Sequence, residues 1–201
     1  MATVSIVTGV LGPVGDVHRA RDLAQILLAD LPERWRHTIG VARRAEHLRG
    51  TVPSRADGEI LLVAAWLHDI GYAAGLHRTG FHPLDGARHL AATGWPARVA
   101  GLVAHHSAAR YVAQTRGLTE DLQAFADEQS AVSDALLYAD QTVGPNGVSM
   151  HLEQRLADML DRHGPDSPNA RAHAWRAPVV RAAVQRVQER LDAMQFPSSA
   201  A

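Results

Sequence analysis

Residues 60–70 read ILLVAAWLHDI, eight apolar positions in a row and then a histidine and an aspartate. A helix predicted over Asp57–Asp69 is apolar nearly all round, which makes it a central, buried element. Gly71 and Gly75 break it, so His68 and Asp69 fall at its carboxyl end. Upstream, Pro32 opens a helix to about Gly50 with His37, Val41, Ala45 and Leu48 at spacings of three and four. Before it, Asp16 reads as the cap of a helix running to Leu31. Downstream, helices are expected over 83–94, 96–106, 118–126, 130–141, 152–163 and 169–194, with a kink at Pro178. Gly144-Pro145-Asn146-Gly147 is a turn. The expected fold is all-α, a single compact bundle. Residues 1–15 read as an arm, 16–145 as the core, 146–195 as helices packed on the same domain, and 196–201 as a frayed tail.

Composition removes several classes of function. The 201 residues carry 20 basic and 21 acidic side chains, a formal net charge of −1. That balance argues against a broad nucleic-acid footprint and against a polybasic membrane anchor. No stretch approaches the roughly 20 apolar residues of a membrane span. MATVSIVTGV has no basic start and no cleavage-like site, so the expected compartment is the cytoplasm. With no cysteine, disulfides, thiolate metal sites and cysteine nucleophiles are all excluded. All the basic residues are arginine and 35 positions are alanine, which fits a GC-rich coding bias and points to no function. Gly9, Gly12 and Gly15 lack the lysine and the context of a phosphate loop.

The 12 histidines are more informative, because imidazole is the commonest metal ligand. A His-Asp dipeptide means little alone: chance predicts about 0.8 of them in this composition. Its setting means more. Burying an imidazole beside a carboxylate at the end of AAWL costs several kcal/mol, of order 2–7, unless both find partners. A divalent cation satisfies both. His37 upstream and Asp140 in LLYADQ each lie on an apolar helical face directed at the same core. His47, His89, His151, His163 and His173 have polar or arginine neighbours and read as solvated, and the four tryptophans as packing residues.

The order H…HD…D, in RHTIGVARRA, AAWLHDIGY and LLYADQ, resembles the HD-domain superfamily of metal-dependent phosphohydrolases over about Glu33–Thr142. TGFHPLDGARHL and LVAHHSAAR add the two further histidines of the members that hold two metals. The resemblance implies that His37, His68, Asp69 and Asp140 bind one ion. Asp69 would bridge to a second ion held by His82 and by either His105 or His106, with His106 favoured. Imidazole and carboxylate ligands suit Mn, Fe, Co, Ni or Zn, one or two ions, without selecting among them. Two cations roughly 3.5–4 Å apart would deprotonate a water between them near neutral pH and neutralise phosphoryl charge.

A phosphorylated substrate also needs cationic donors. Arg78, in the loop between the metal histidines, is the first candidate and Arg110 the second. Asp85, one turn beyond His82, is a candidate to orient an imidazole or relay a proton. It is equally placed as a charge favourable to the start of its helix. The expected function is metal-dependent hydrolysis of a small phosphoester, with nucleotides among the candidates. The alternatives are a di-iron HD-type oxygenase and a non-catalytic regulatory module stabilised by metal. No nucleic-acid or membrane partner is expected, and the last helix could serve a homodimer.

Overall fold

The structure, a computed structural model, describes residues 13–195, with side chains from Asp16 onward. Among the described residues there are ten α-helices joined by 3₁₀ turns and no strand beyond one isolated bridge, Val143 to Ser149. Of the arm expected over 1–15, residues 1–12 lie outside the described residues, as does the tail over 196–201, while residues 13–15 belong to the first helix.

Helix α3 (Arg55–Leu67) is the centre of the bundle. Ser54 caps it by accepting a 3.1 Å hydrogen bond from the Asp57 amide, so it begins two residues before the position expected. Leu61, Ala64, Ala65 and Leu67 are fully buried. α3 packs against α1 (Pro13–Leu27), α2 (Pro32–His47), α5 (Ala97–His105) and α8 (Ala131–Gln141). Its last turn hands His68 and Asp69 into the middle of that packing.

Several boundaries correct the sequence reading. α1 begins at Pro13, a residue suited to a first helical position, and Asp16 lies inside its first turn instead of capping it. α1 ends at Leu27, and α2 ends at His47 because the chain tightens into a 3₁₀ turn over Arg49–Thr51. The helix expected over 118–126 is only α7, Thr119–Gln123. α10 (Pro168–Gln195) runs on through Pro178. Trp175 is 60% exposed and packs into no core.

Three features place the site. α4 (His82–Ala92) starts at His82, and α6 (Ala109–Thr115) follows the end of α5 through the 3₁₀ turn His106–Ala108. A Ser130–Ser133 capping box starts α8, whose last turn carries Asp140 inward. α2 meets the turn at 144–147 so closely that a Cβ on Gly40 would lie 2.5 Å from the Gly147 carbonyl oxygen. That contact sets the Gly144 carbonyl beside His37. α9 (Leu152–His163) and α10 pack over this end, α10 against α6 and α8. No helix of the described residues is long and apolar enough to cross a membrane.

Candidate metal centre

Three imidazoles are held the same way. His37 Nδ1 donates to the Gly144 carbonyl (3.1 Å), His68 Nδ1 to Ala65 (2.8 Å) and His106 Nδ1 to Val103 (2.6 Å). A carbonyl only accepts, so each Nδ1 carries a proton and each ring turns its Nε2 to the centre of the bundle. The Nε2 of His37 lies 2.9 Å from Asp140 Oδ1. Two acceptors at that separation need a proton or a metal cation between them. His68 is more decisive. Its ring is fully buried, its Nε2 has no hydrogen-bond partner, and burial lowers its pKa, favouring the neutral form. The lone pair faces Asp69 Oδ2 at 3.5 Å and Asp140 Oδ1 at 3.9 Å.

The candidate ligand atoms fall into two sets, each lying within 4.8 Å of one another: His37, His68 and Asp140 in the first, Asp69, His82 and His106 in the second. Asp69 touches both. Its Oδ2 lies 3.5 Å from His68 and 3.9 Å from His37, while its Oδ1 lies 3.3 Å from His82 and 3.9 Å from His106. Burial alone would raise the Asp69 carboxyl, but His68, Arg34, His82 and His37 outweigh it and hold the group well below the ordinary range. Asp140 is lowered likewise, against burial, by its hydrogen bond with His37 and the charges around it. Burial keeps His82 neutral as well. The unpartnered, neutral His68, with three further imidazoles gathered around two ionised carboxylates, is a donor set suited to a divalent transition metal.

The other expected residues stand elsewhere. His105 points away from the centre and donates from Nε2 to the Phe125 carbonyl at 2.9 Å, so of the adjacent pair it is His106 that meets His82. Arg78 is exposed, its guanidinium bonding to the His77 carbonyl, and only its backbone amide faces inward. Arg110 pairs with Asp127 at 2.8 Å on another face. Asp85 touches no imidazole. It accepts from the amides of Arg78, Thr79 and Gly80 and from the Thr79 hydroxyl, tying down the loop that leads into His82.

Over the two sets opens a cavity of about 250 Å³. Its floor includes Asp69, His82, His106 and Asp140, and its walls include Arg34, Arg116, Arg155, Arg162 and Arg176. His163, read as solvated, is exposed but lines this cavity. Arg34 reaches Asp69 Oδ2 at 3.3 Å and lies 4.3 Å above the Tyr72 ring. Tyr72 in turn stacks on His82 with ring centres 3.9 Å apart, and burial pushes its phenol up to about 12. Sequence reasoning missed Arg34 and Tyr72, although Arg34 lies one helical turn before His37 and Tyr72 closes the HDIGY run. Arg155 and Arg176 carry no local signal.

The model of the HD domain family matches residues 34–164, well over half the chain. That span begins at Arg34 and takes in both ligand sets and α9. No curated protein and no solved structure gives a match. The superfamily is one of metal-dependent phosphohydrolases. On its helices, its matched span and its buried histidine-aspartate centre, the chain belongs to the HD domain family.

Proposed function

We propose that this chain is a two-metal phosphohydrolase that cleaves a small phosphoester, nucleotides being among the candidate substrates. The observation that carries the reading is the Asp69 carboxylate, which offers one oxygen to each ligand set. Bound there, two cations would lower the pKa of water and neutralise charge on a phosphoryl group. The chain's own residues do the rest. Backbone carbonyls fix three imidazole tautomers, so that those rings are already oriented for loading. Arg34 holds Asp69 from its outer side, and Tyr72 fixes the plane of the His82 ring. Tyr72 stays protonated at neutral pH and is a neutral hydrogen-bond donor on the cavity wall.

The charge of the cavity supports a phosphorylated substrate. Five arginines line it against the two carboxylates Asp69 and Asp140, so an anion is drawn in even before any metal is counted. Elemental analysis of the purified protein, followed by hydrolysis assays on phosphomonoesters and nucleotides with Mn, Co, Ni, Fe and Zn, tests the proposal. About two equivalents of metal with metal-dependent phosphate release is the expected result. Iron with oxygen consumption and no phosphate release would replace it with the oxygenase reading. Metal without turnover of any kind would leave a metal-stabilised module.

A further inference from the structure

Arg155 is 8% exposed, yet its Nε has no hydrogen-bond partner. Its terminal nitrogens stand 3.5 Å from Asp158 Oδ2 and 4.0 Å from Asp140 Oδ1, long for charge-assisted hydrogen bonds. A buried guanidinium is normally hydrogen-bonded through most of its five N–H groups. Arg176 is 6% exposed and lines the same cavity. It donates from Nε to the Ser107 carbonyl (2.8 Å) and from one terminal nitrogen to Gln141 Oε1 (3.2 Å). Ser107 follows His106, and Gln141 follows Asp140, so Arg176 is braced by the immediate neighbours of two candidate ligands. Burial and the charge of Arg155 both lower its pKa, whereas Asp140 opposes them. Two like charges thus stand on the wall of one cavity beside Asp140, which also faces His37.

We infer that Arg155 and Arg176 form an oxyanion clamp that grips the phosphoryl group of the substrate beside Asp140, and that its ligand is a tetrahedral dianion. The inference rests on the phosphohydrolase reading for its substrate, but the clamp itself is an anion site whether or not turnover occurs. Arg155 comes from α9, and Arg176 comes from α10, beyond the span matched by the family. The clamp is therefore assembled partly by the segment that follows the common core. Planar forks of N–H donors match phosphate oxygens two at a time, which a lysine at either position would not do.

The chemistry sets an unusual signature. A buried charge kept for an absent partner destabilises the empty protein, so its removal should relieve the fold while damaging binding. The probe is inorganic phosphate, titrated calorimetrically into the manganese-loaded full chain, with Arg155→Met, Arg155→Lys and Arg176→Gln beside the parent. Metal content should be unchanged in all four. Phosphate affinity should fall about tenfold or more in Arg155→Met and Arg176→Gln, and only partly recover in Arg155→Lys. The melting temperature of phosphate-free Arg155→Met should equal or exceed that of the parent. Phosphate affinity within about twofold of the parent in both charge-removing variants would overturn the clamp, as would a parent that binds no phosphate. A drop in stability at unchanged affinity would make Arg155 a structural residue instead. Phosphate binding lost with Arg155 in a protein that hydrolyses no ester upholds the clamp and removes the enzyme.

Discussion

The Nε2 of His68 faces Asp69 Oδ2 across 3.5 Å without a hydrogen bond, in a ring that no solvent reaches. The Nδ1 proton is committed to the Ala65 carbonyl, so the ring cannot turn its other nitrogen inward without abandoning that bond. A neutral lone pair and a carboxylate oxygen held this way repel each other in the empty protein. A cation between them turns the same geometry into two bonds.

Metal should therefore stabilise the fold by linkage. At about 100 times its dissociation constant, a single bound ion adds about 2.7 kcal/mol, and chelation removes it. Scanning calorimetry of the parent should show a melting temperature that falls on treatment with chelator. His68→Ala should show a smaller fall, the part owed to the ion of the His82 set. A parent indifferent to chelation would remove the metal from the centre.

The two ligand sets should also be separable. A Cβ added at Gly71 would lie 2.0 Å from the His82 carbonyl oxygen and 2.7 Å from the Gly86 amide, both backbone atoms of α4 that cannot swing aside. Gly71→Ala must push the start of α4, and His82 with it, away from Asp69. Overpacking of this kind costs about 1–3 kcal/mol. Denaturant unfolding should show that loss, and elemental analysis should show the His82 set depleted while the His37 set keeps its ion. Equal depletion of both sets would mean that they load as one unit.

Legibility in the sequence followed the range of the interaction concerned. α3 was readable because eight apolar residues in a row allow no exposed face, and His68 and Asp69 inherit their burial from it. The His105-His106 alternative turned on about 100° of helical rotation between neighbours. Only the backbone at the end of α5 shows that His105 turns to Phe125 while His106 turns to His82. The arginines were the least legible. Twenty identical cations give no local mark of which ones fold inward, and sequence proximity favoured Arg78 over Arg155. Proximity misled because Asp85 fastens the Arg78 backbone and leaves its side chain outside.

Acid should loosen the bundle where α3 begins. Asp57 accepts from Ser54 Oγ at 2.6 Å and from Arg98 at 2.8 Å, and Arg98 also holds Glu128 at 2.7 Å. The Ser54 hydrogen bond first, and then that from Arg98, lower the Asp57 carboxyl below its ordinary value of 3.8. A carboxyl lowered in the folded state contributes stability above its unfolded pKa and loses it as pH falls through the folded value. Melting temperatures measured from pH 7 down to about pH 3 should decline through that window. Asp57→Asn should start lower at pH 7 and decline less. Parallel curves for the two proteins would show that this carboxyl has no part in the acid response.

Asp85 can be tested as the loop anchor its hydrogen bonds describe and as the proton relay the sequence offered. It is 2% exposed and accepts from three successive amides and the Thr79 hydroxyl, the last amide belonging to Gly80 in the left-handed region at φ 67. Asn in its place turns an NH₂ toward donors and leaves amides of the loop unpaired, at about 1–3 kcal/mol. Freed, the loop lets the first turn of α4 shift, and His82 leaves Asp69. An anchor predicts that Asp85→Asn unfolds at lower denaturant and loads metal weakly at the His82 set. Excess manganese should then restore phosphate release. A proton relay predicts the reverse, full metal content with hydrolysis lost at every manganese concentration. Unfolding curves, metal titration and the manganese dependence of turnover on one variant decide between them, and the four donors at Asp85 favour the anchor.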